Sequence, residues 1–326
     1  MKVLITGGTG LIGLKIAERL LADGSSVTLF DRVPTSERIT ALSATCGGRL
    51  QVITGDVLDV IALAHAVRTA RSDAIIHLAY SLGAESNADA PAATQVNITG
   101  TVNVLEVARL LEVPRVVMAS SIAVYGNDES YPPDQLPVSE HVPLYTAAPL
   151  PIYGAGKIYL EKLAKHYRDQ FGLIVVGLRP SIVYGWGRRT GATSFMSTLV
   201  EEPARGHAAA VGFGDALVSL VYVDDVAAQF IALLQAEPGR FTDTFFFNTG
   251  GDTCRVHQVA DAIRRRLSEA RIEVSSDGER DVHGLVASVS DAALVRTLGY
   301  ERRFTPLDRA LDHYIGIVQE AEGQQS

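Results

Sequence analysis

The chain has 326 residues, of which 47% are hydrophobic and 20% charged, a globular balance that excludes a disordered or collagen-like chain and leaves ample length for a core. Lys and Arg number 29 against 37 Asp and Glu, a formal charge of −8, so phosphate backbones and anionic lipid are repelled and nucleic acid is not an expected partner. The two cysteines, Cys46 and Cys254, lie far apart without C-x-x-C spacing, which excludes a disulfide framework or thiolate zinc site and fits a reducing, cytoplasmic setting.

The opening apolar run of MKVLITGG is too short for a signal-peptide core, and no later run reaches spanning length, so no membrane association is expected. Short β-branched runs then alternate with segments of helical period. Lys2 to Thr6, Val27 to Phe30, Leu50 to Ile53, Ala74 to Leu78, Arg115 to Ala119 and Ile174 to Leu178 read as strands. Between them Leu11 to Asp23, Val60 to Ala70, Ala92 to Leu111 and Ile152 to Phe171 read as helices. Such alternation predicts an α/β fold, a Rossmann-type doubly wound parallel sheet with a smaller C-terminal substrate-binding region. The proline-rich stretch 126–151 predicts a long loop over the sheet.

After Arg179-Pro180 the alternation loosens, with helical segments near Ser194 to Arg205, Val226 to Gln235, Val256 to Ala270 and Pro306 to Val318. The expected organisation is a dinucleotide-binding domain over 1–179, with segments returning near 215–250. A substrate-binding region spans 180–214 and 251–320, and 319–326 form a flexible tail. The helices Ala92 to Leu111 and Ile152 to Phe171 carry more apolar positions than one sheet-facing stripe needs, which points to a homodimer.

In TGGTGLIG, Gly7, Gly10 and Gly13 follow a strand and open a helix at Leu11 and Ile12. Glycines there allow a tight turn, close approach of a pyrophosphate and helix–strand packing, and the helix N-terminus offers N–H groups to an anion. Asp31 ends the second strand, where a carboxylate accepts from adenosine ribose hydroxyls. This favours NAD over NADP, although Arg32 beside it could pair with a 2′-phosphate. Asp56, followed by Val57, either accepts from an adenine amino group or closes an Asx turn. The HLAY turn places Leu78, Ala79 and Tyr80 along the cofactor, with His77 as a hydrogen-bonded structural residue. The eight histidines show no ligand spacing, so no metal is expected.

Tyr153 and Lys157, at i and i+4, share one helix face, so the ammonium can favour the ionised phenol. Ser121, just past the fifth strand, can hold a substrate oxygen for that phenol.

These pieces, with NITGTVNVLE, RPSIVYG and VYVDDVA in order and spacing, resemble the extended short-chain dehydrogenase/reductases, the NAD-dependent epimerase/dehydratase group. The resemblance implies Ser121, Tyr153 and Lys157 as catalytic triad, Lys157 also holding the nicotinamide ribose, and Asn97 supporting the site from a neighbouring helix. It implies hydride chemistry at a carbinol carbon with NAD as cofactor.

The chain departs from members acting on nucleotide-linked sugars. Leu217 and Val218 stand where an Arg ahead of Val-Asp-Asp usually holds the diphosphate, and Ser275, Ser276 and Asp277 precede the late Gly278-Glu279. In WGRRTGATSF, Arg188 and Arg189 can instead grip a carboxylate. Ser81, Ser121, Tyr153 and Ser181 are further substrate candidates. The expected activity is oxidation of a hydroxyl on a small sugar-like or sugar-acid substrate. The alternative is an epimerase or dehydratase of a sugar, nucleotide sugars included, using bound NAD and the same triad. A third reading, a dinucleotide sensor without catalysis, conflicts with the intact Ser121, Tyr153 and Lys157.

Overall fold

A computed structural model describes residues 1–34, 37–82, 88–144, 152–188, 194–277 and 285–323. The first half is a succession of β–α units: β1 (Lys2–Thr6), α1 (Leu11–Ala22), β2 (Ser26–Asp31), α2 (Glu37–Thr45), β3 (Leu50–Thr54), α3 (Val60–Ala70) and β4 (Ala74–His77). There follow α4 (Ala90–Thr94), a π-helical turn (Gln95–Thr99), α5 (Gly100–Leu110), β5 (Arg115–Ala119), α6 (Ile152–Phe171) and β6 (Ile174–Arg179). These strands form one parallel sheet of order β3-β2-β1-β4-β5-β6, and β10 (Phe246–Asn248) joins it as a seventh strand beside β6. The order reverses between β1 and β4, so the crevice for a ligand opens at the carboxyl ends of these two strands.

The sheet is buried on both faces, which explains its runs of Val, Ile and Leu. On one face α1 and α8 (Val223–Gln235) close a core around Ile16, Leu20, Leu29, Phe230 and Leu233. On the other, α3, α5 and α6 enclose Leu4, Ile75, Val104, Val116 and Leu160.

The second half contains more strand than its loosened pattern suggested. Beside α7 (Phe195–Ala204) and β8 (Ala208–Val211), β7 (Ile182–Tyr184), β9 (Leu217–Tyr222) and β11 (Asp252–Arg255) form a small mixed sheet. The expected helix over Val256 to Ala270 stops at Arg266 (α9, Val256–Arg266), and the chain re-enters a strand, β12 (Arg271–Val274), paired with β8. Two short helices, α2 and α10 (Ala292–Leu298), lie where no helical period was read. Within 126–144 the chain makes 3-10 turns at Asp128–Ser130 and Pro133–Gln135, and Tyr131 and Val138 are buried against Val286 and Val289. The terminal helix α11 (Leu307–Gly323) continues through the residues expected to fray, as far as Gly323. No helix among the described residues is long and apolar enough to cross a membrane.

Candidate active site

The glycine turn between β1 and α1 is shaped by contacts that forbid side chains. Gly7 adopts φ +63°, and a Cβ there would lie 2.7 Å from the Ala79 amide nitrogen. A Cβ on Gly13 would lie 2.7 Å from the Gly8 carbonyl oxygen, so helix and turn touch backbone to backbone. Gly8, outside the spacing of Gly7, Gly10 and Gly13, is equally confined, since a Cβ there would lie 2.7 Å from the Ile5 carbonyl oxygen. Gly10, the N-cap of α1, makes no side-chain cap, so no side chain of its own occupies the first-turn N–H groups. A Cβ on Gly10 would meet the Gly7 carbonyl oxygen at 3.3 Å. The residues present therefore fit a dinucleotide pyrophosphate.

Asp31, at the end of β2, turns Oδ2 toward Thr9, which donates from its amide at 3.1 Å and its hydroxyl at 2.7 Å. Thr9 was not singled out in sequence because nothing local links it to a strand end twenty-two residues on. Arg32 is exposed. Asp56 accepts from the Leu58 amide at 2.9 Å, the Asx-turn alternative, and Val57 is buried against Gly100. His77 is locked between the Thr6 hydroxyl at 2.7 Å and the Thr101 hydroxyl at 3.0 Å, and burial pushes its pKa down to about 3, with Lys157 adding to the effect. Beyond it Leu78 and Ala79 line the glycine turn. Asn97, in the π-helical turn, accepts from the Ser81 amide at 2.7 Å and donates to its carbonyl at 3.1 Å. That turn interrupts the single helix expected over Ala92 to Leu111, and it aims Asn97 at the strand end, a common use of π-bulges.

The structure brings Ser121, Tyr153 and Lys157 together. Ser121 caps the 3-10 turn Ile122–Val124, its hydroxyl accepting from Ala123 at 3.1 Å, and lies beside Tyr153. Burial raises the Tyr153 pKa, against which the Ser121 hydroxyl and the Arg188 charge pull it down. Lys157 is 2% exposed and donates to the Ala119 carbonyl at 2.7 Å, with its ammonium 5.7 Å from the Tyr153 ring centroid. Burial pushes its pKa down to about 7, Glu161 opposing.

Under this group runs a buried network that no motif announced. Glu161, one turn beyond Lys157, takes Arg179 on both oxygens at 2.8 and 2.6 Å and the Ser120 hydroxyl at 2.6 Å. Arg179 continues to Tyr125 at 2.5 Å, and Tyr125 donates to Asn248 at 2.9 Å. Glu161 was legible as the next rung of the Tyr153–Lys157 ladder; its partner on β6 was not.

Of the substrate candidates, Ser81 is half-buried. Ser181 is 5% exposed, with its amide on Thr249 and its hydroxyl accepting from Ser219 at 3.1 Å, so it braces β7 against β9. Arg188 donates from Nη1 to the Val183 carbonyl at 2.9 Å, while its Nε is buried without a hydrogen-bond partner. Burial lowers its pKa, and Tyr153 and Tyr314 counter this. Arg38 holds the preceding residues, donating to Glu18 at 2.6 Å and the Trp186 carbonyl at 3.4 Å. Arg189 lies outside the described residues. No metal-binding group of His, Cys, Asp or Glu occurs among the described residues.

The model of the NAD dependent epimerase/dehydratase family matches residues 3–243. The chain is 31% identical over 235 residues to a UDP-glucose 4-epimerase of Mycolicibacterium smegmatis, covering 71% of this chain and 72% of that one. It is 34% identical over 219 residues to a D-erythronate dehydrogenase of Cupriavidus necator, 64% of each chain. A Thermus thermophilus UDP-glucose 4-epimerase, solved with NAD, superposes with a TM-score of 0.83 at 24% identity, covering 98% of this chain and all of that one, a likeness of fold.

Proposed function

The chain belongs to the NAD dependent epimerase/dehydratase family, an enzyme with NAD as its cofactor, and from that premise we propose that it is a dehydrogenase of a small, carboxylate-bearing, sugar-like alcohol. The observation that carries this reading is Arg188, a half-buried guanidinium beside Tyr153 whose buried Nε has no hydrogen-bond partner. A buried charge without a full set of partners is costly, and a substrate carboxylate is the planar acceptor a guanidinium fits best. At the place where a diphosphate-binding Arg would stand, Val218 is 2% exposed in the core of the small sheet.

In this reading Ser121 holds the reacting hydroxyl by hydrogen bond and Tyr153 removes its proton, with Lys157 and Arg188 favouring the phenolate by their charge. NAD, when bound, would supply the hydride acceptor, so that the alcohol would lose one hydride from its carbinol carbon and one proton to Tyr153 and become a ketone. Asn97 holds the Ser81 backbone at the edge of the site. Gly7, Gly10, Leu11, Ile12 and Gly13 hold the pyrophosphate, Asp31 the adenosine ribose, and the smaller C-terminal region closes over the substrate. A homodimer in the cytoplasm, in carbohydrate metabolism, belongs to the same proposal. On the outer helices, Leu110 is 64% and Tyr159 51% exposed, apolar surface that a second copy can cover.

The same triad serves an epimerase, and the extent of the match to the UDP-glucose 4-epimerase relative keeps that second reading. Purified protein incubated with NAD and a panel of free uronates, aldonates, neutral sugars and UDP-hexoses separates the two. NADH accumulating with the free acids is the expected result. Isomerised UDP-hexose without net NADH overturns it. Tyr153→Phe is expected to lower kcat roughly 10²- to 10⁴-fold, and an unchanged rate would remove Tyr153 as the base.

A further inference from the structure

Lys157 is the most demanding charge in the site, because almost none of it reaches water. The groups around it come from four elements. From β4, His77 is kept neutral by burial; from α6 itself, Tyr153 is a half-buried phenol and Glu161 is already bonded twice to Arg179 on β6. From β5 the Ala119 carbonyl accepts one of three ammonium protons. The remaining close neighbour is the face of Tyr80, whose ring centroid is 3.3 Å from Nζ.

Three contacts set that ring. It meets Tyr153 edge to face, with centroids 5.4 Å apart and an interplanar angle of 87°. Its hydroxyl lies beside the Asn97 side chain. Gly156 leaves room for it, since a Cβ there would lie 2.9 Å from the Tyr80 Oη. Burial and the neighbouring Tyr153 hold the Tyr80 phenol well above its usual pKa, so the ring stays neutral and acts through its π-face. An aromatic face carries negative charge density, and its attraction for an ammonium grows where water is excluded.

We propose that Tyr80 is a positioning residue whose ring face stands in for a carboxylate counter-ion, keeping the Lys157 ammonium protonated and held beside Tyr153. The proposal rests on the reading of Tyr153 and Lys157 as the catalytic pair. Its consequence is that the ring, and not the hydroxyl, matters. Tyr80→Phe therefore preserves the effect and Tyr80→Leu abolishes it.

The test follows the ¹³Cε resonance of Lys157 against pH in full-length, NAD-free protein labelled with ¹³C-lysine, the signal being assigned by its loss in Lys157→Met. In Tyr80→Phe the titration midpoint is expected to match the wild type. In Tyr80→Leu it is expected to fall by about one pH unit, tenfold in the protonation equilibrium. The alkaline limb of the pH dependence of kcat/KM is expected to move down by the same amount, because the charged lysine is the active form. A Lys157 midpoint that stays in place in a folded Tyr80→Leu protein overturns the proposal. Should the leucine variant not fold, Tyr80→Met, which fills the space without a π-face, takes the same reading. The resonance reports on Lys157 whether or not the enzyme turns over. An active Tyr153→Phe would overturn the functional reading alone, and an unmoved midpoint the role of Tyr80 alone.

Discussion

Lys157 and Glu161 lie one turn apart on the same face of α6, yet the regions they belong to differ in kind. Around Glu161, in the floor of the site, both carboxylate oxygens meet Arg179, Ser120 adds a third hydrogen bond, and Tyr125 and Asn248 continue the chain. Around Lys157 and Arg188, at the mouth, the protein offers one carbonyl to each cation, and to Lys157 the face of Tyr80. A buried charge fully matched by protein groups holds a structure together, and removing one partner leaves the other stranded. A buried charge left partly unmatched burdens the folded state and is retained where a ligand or a reaction completes it. Floor and mouth should therefore respond to mutation with opposite signs.

The largest contrast is expected at Lys157. Its pKa is about 7 in the folded protein against 10.5 for an ordinary lysine. Below pH 7 it is charged in both folded and unfolded states, and the full penalty of burying it applies. Between 7 and 10.5 the folded protein has released the proton and the unfolded chain still binds it, so stability from this group rises with pH. Lys157→Met lacks that rise. It is expected to be more stable than the wild type at neutral pH, with a ceiling of about 5 kcal/mol, and the advantage should shrink toward pH 10. Urea unfolding of the NAD-free pair at a series of pH values measures the difference, and one that is flat with pH would assign the penalty elsewhere.

Glu161→Gln tests the floor. It strands Arg179, itself 6% exposed, and is expected to lose about 3–5 kcal/mol of stability. The double replacement Glu161→Met with Arg179→Met should recover much of this, since no charge is then left unpaired. A double-mutant cycle by equilibrium unfolding reads the coupling, and additive losses would deny that the two act as a pair.

At the mouth, Arg188→Met is expected to raise KM for an acidic substrate roughly ten- to hundredfold, about 1.5–3 kcal/mol for a charge-assisted contact, without lowering Tm. Because Arg188 helps hold the Tyr153 pKa down, the acid limb of kcat should move to higher pH. Neutral alcohols of similar shape supply the control. A variant that loses both classes of substrate equally would show Arg188 bracing the loop and not gripping a carboxylate.

How much of this could be read in the sequence follows the range of the interactions. The parallel sheet and its first helices were legible because strand runs and helical periods are local, and Tyr153 with Lys157 because i and i+4 fall on one face. The β strands of the second half escaped because they are three to six residues long and set among glycines and prolines, where periodicity is too brief to register. Asn97 was expected beside the site, but its aim depends on a π-helical turn that nothing in NITGTVNVLE signals. Tyr80 was placed along the cofactor by its position after β4, and only the fold shows its ring on Lys157. Ser181, adjacent to the strand end, looked available to substrate, whereas Ser219, brought beside it by β9, engages its hydroxyl.

The smallest effect tests whether the cofactor end of the mouth is prearranged as well. Thr9 fixes Asp31 by two donors to one oxygen, Oδ2, while Oδ1 has the Val33 amide at 3.4 Å, a weak contact. On the function proposed above, Oδ1 is the oxygen left to meet a ribose hydroxyl. Thr9→Val removes the hydroxyl at 2.7 Å and keeps the amide, so the orientation should loosen and not be lost. NAD is expected to bind roughly two- to tenfold more weakly by calorimetry, about 0.5–1.5 kcal/mol, with kcat at saturating NAD unchanged. A fall in kcat with unaltered NAD affinity would mean that Thr9 acts on the turn and through it on the reacting end, and Asp31 would then be a brace of the fold before it is a contact for the cofactor.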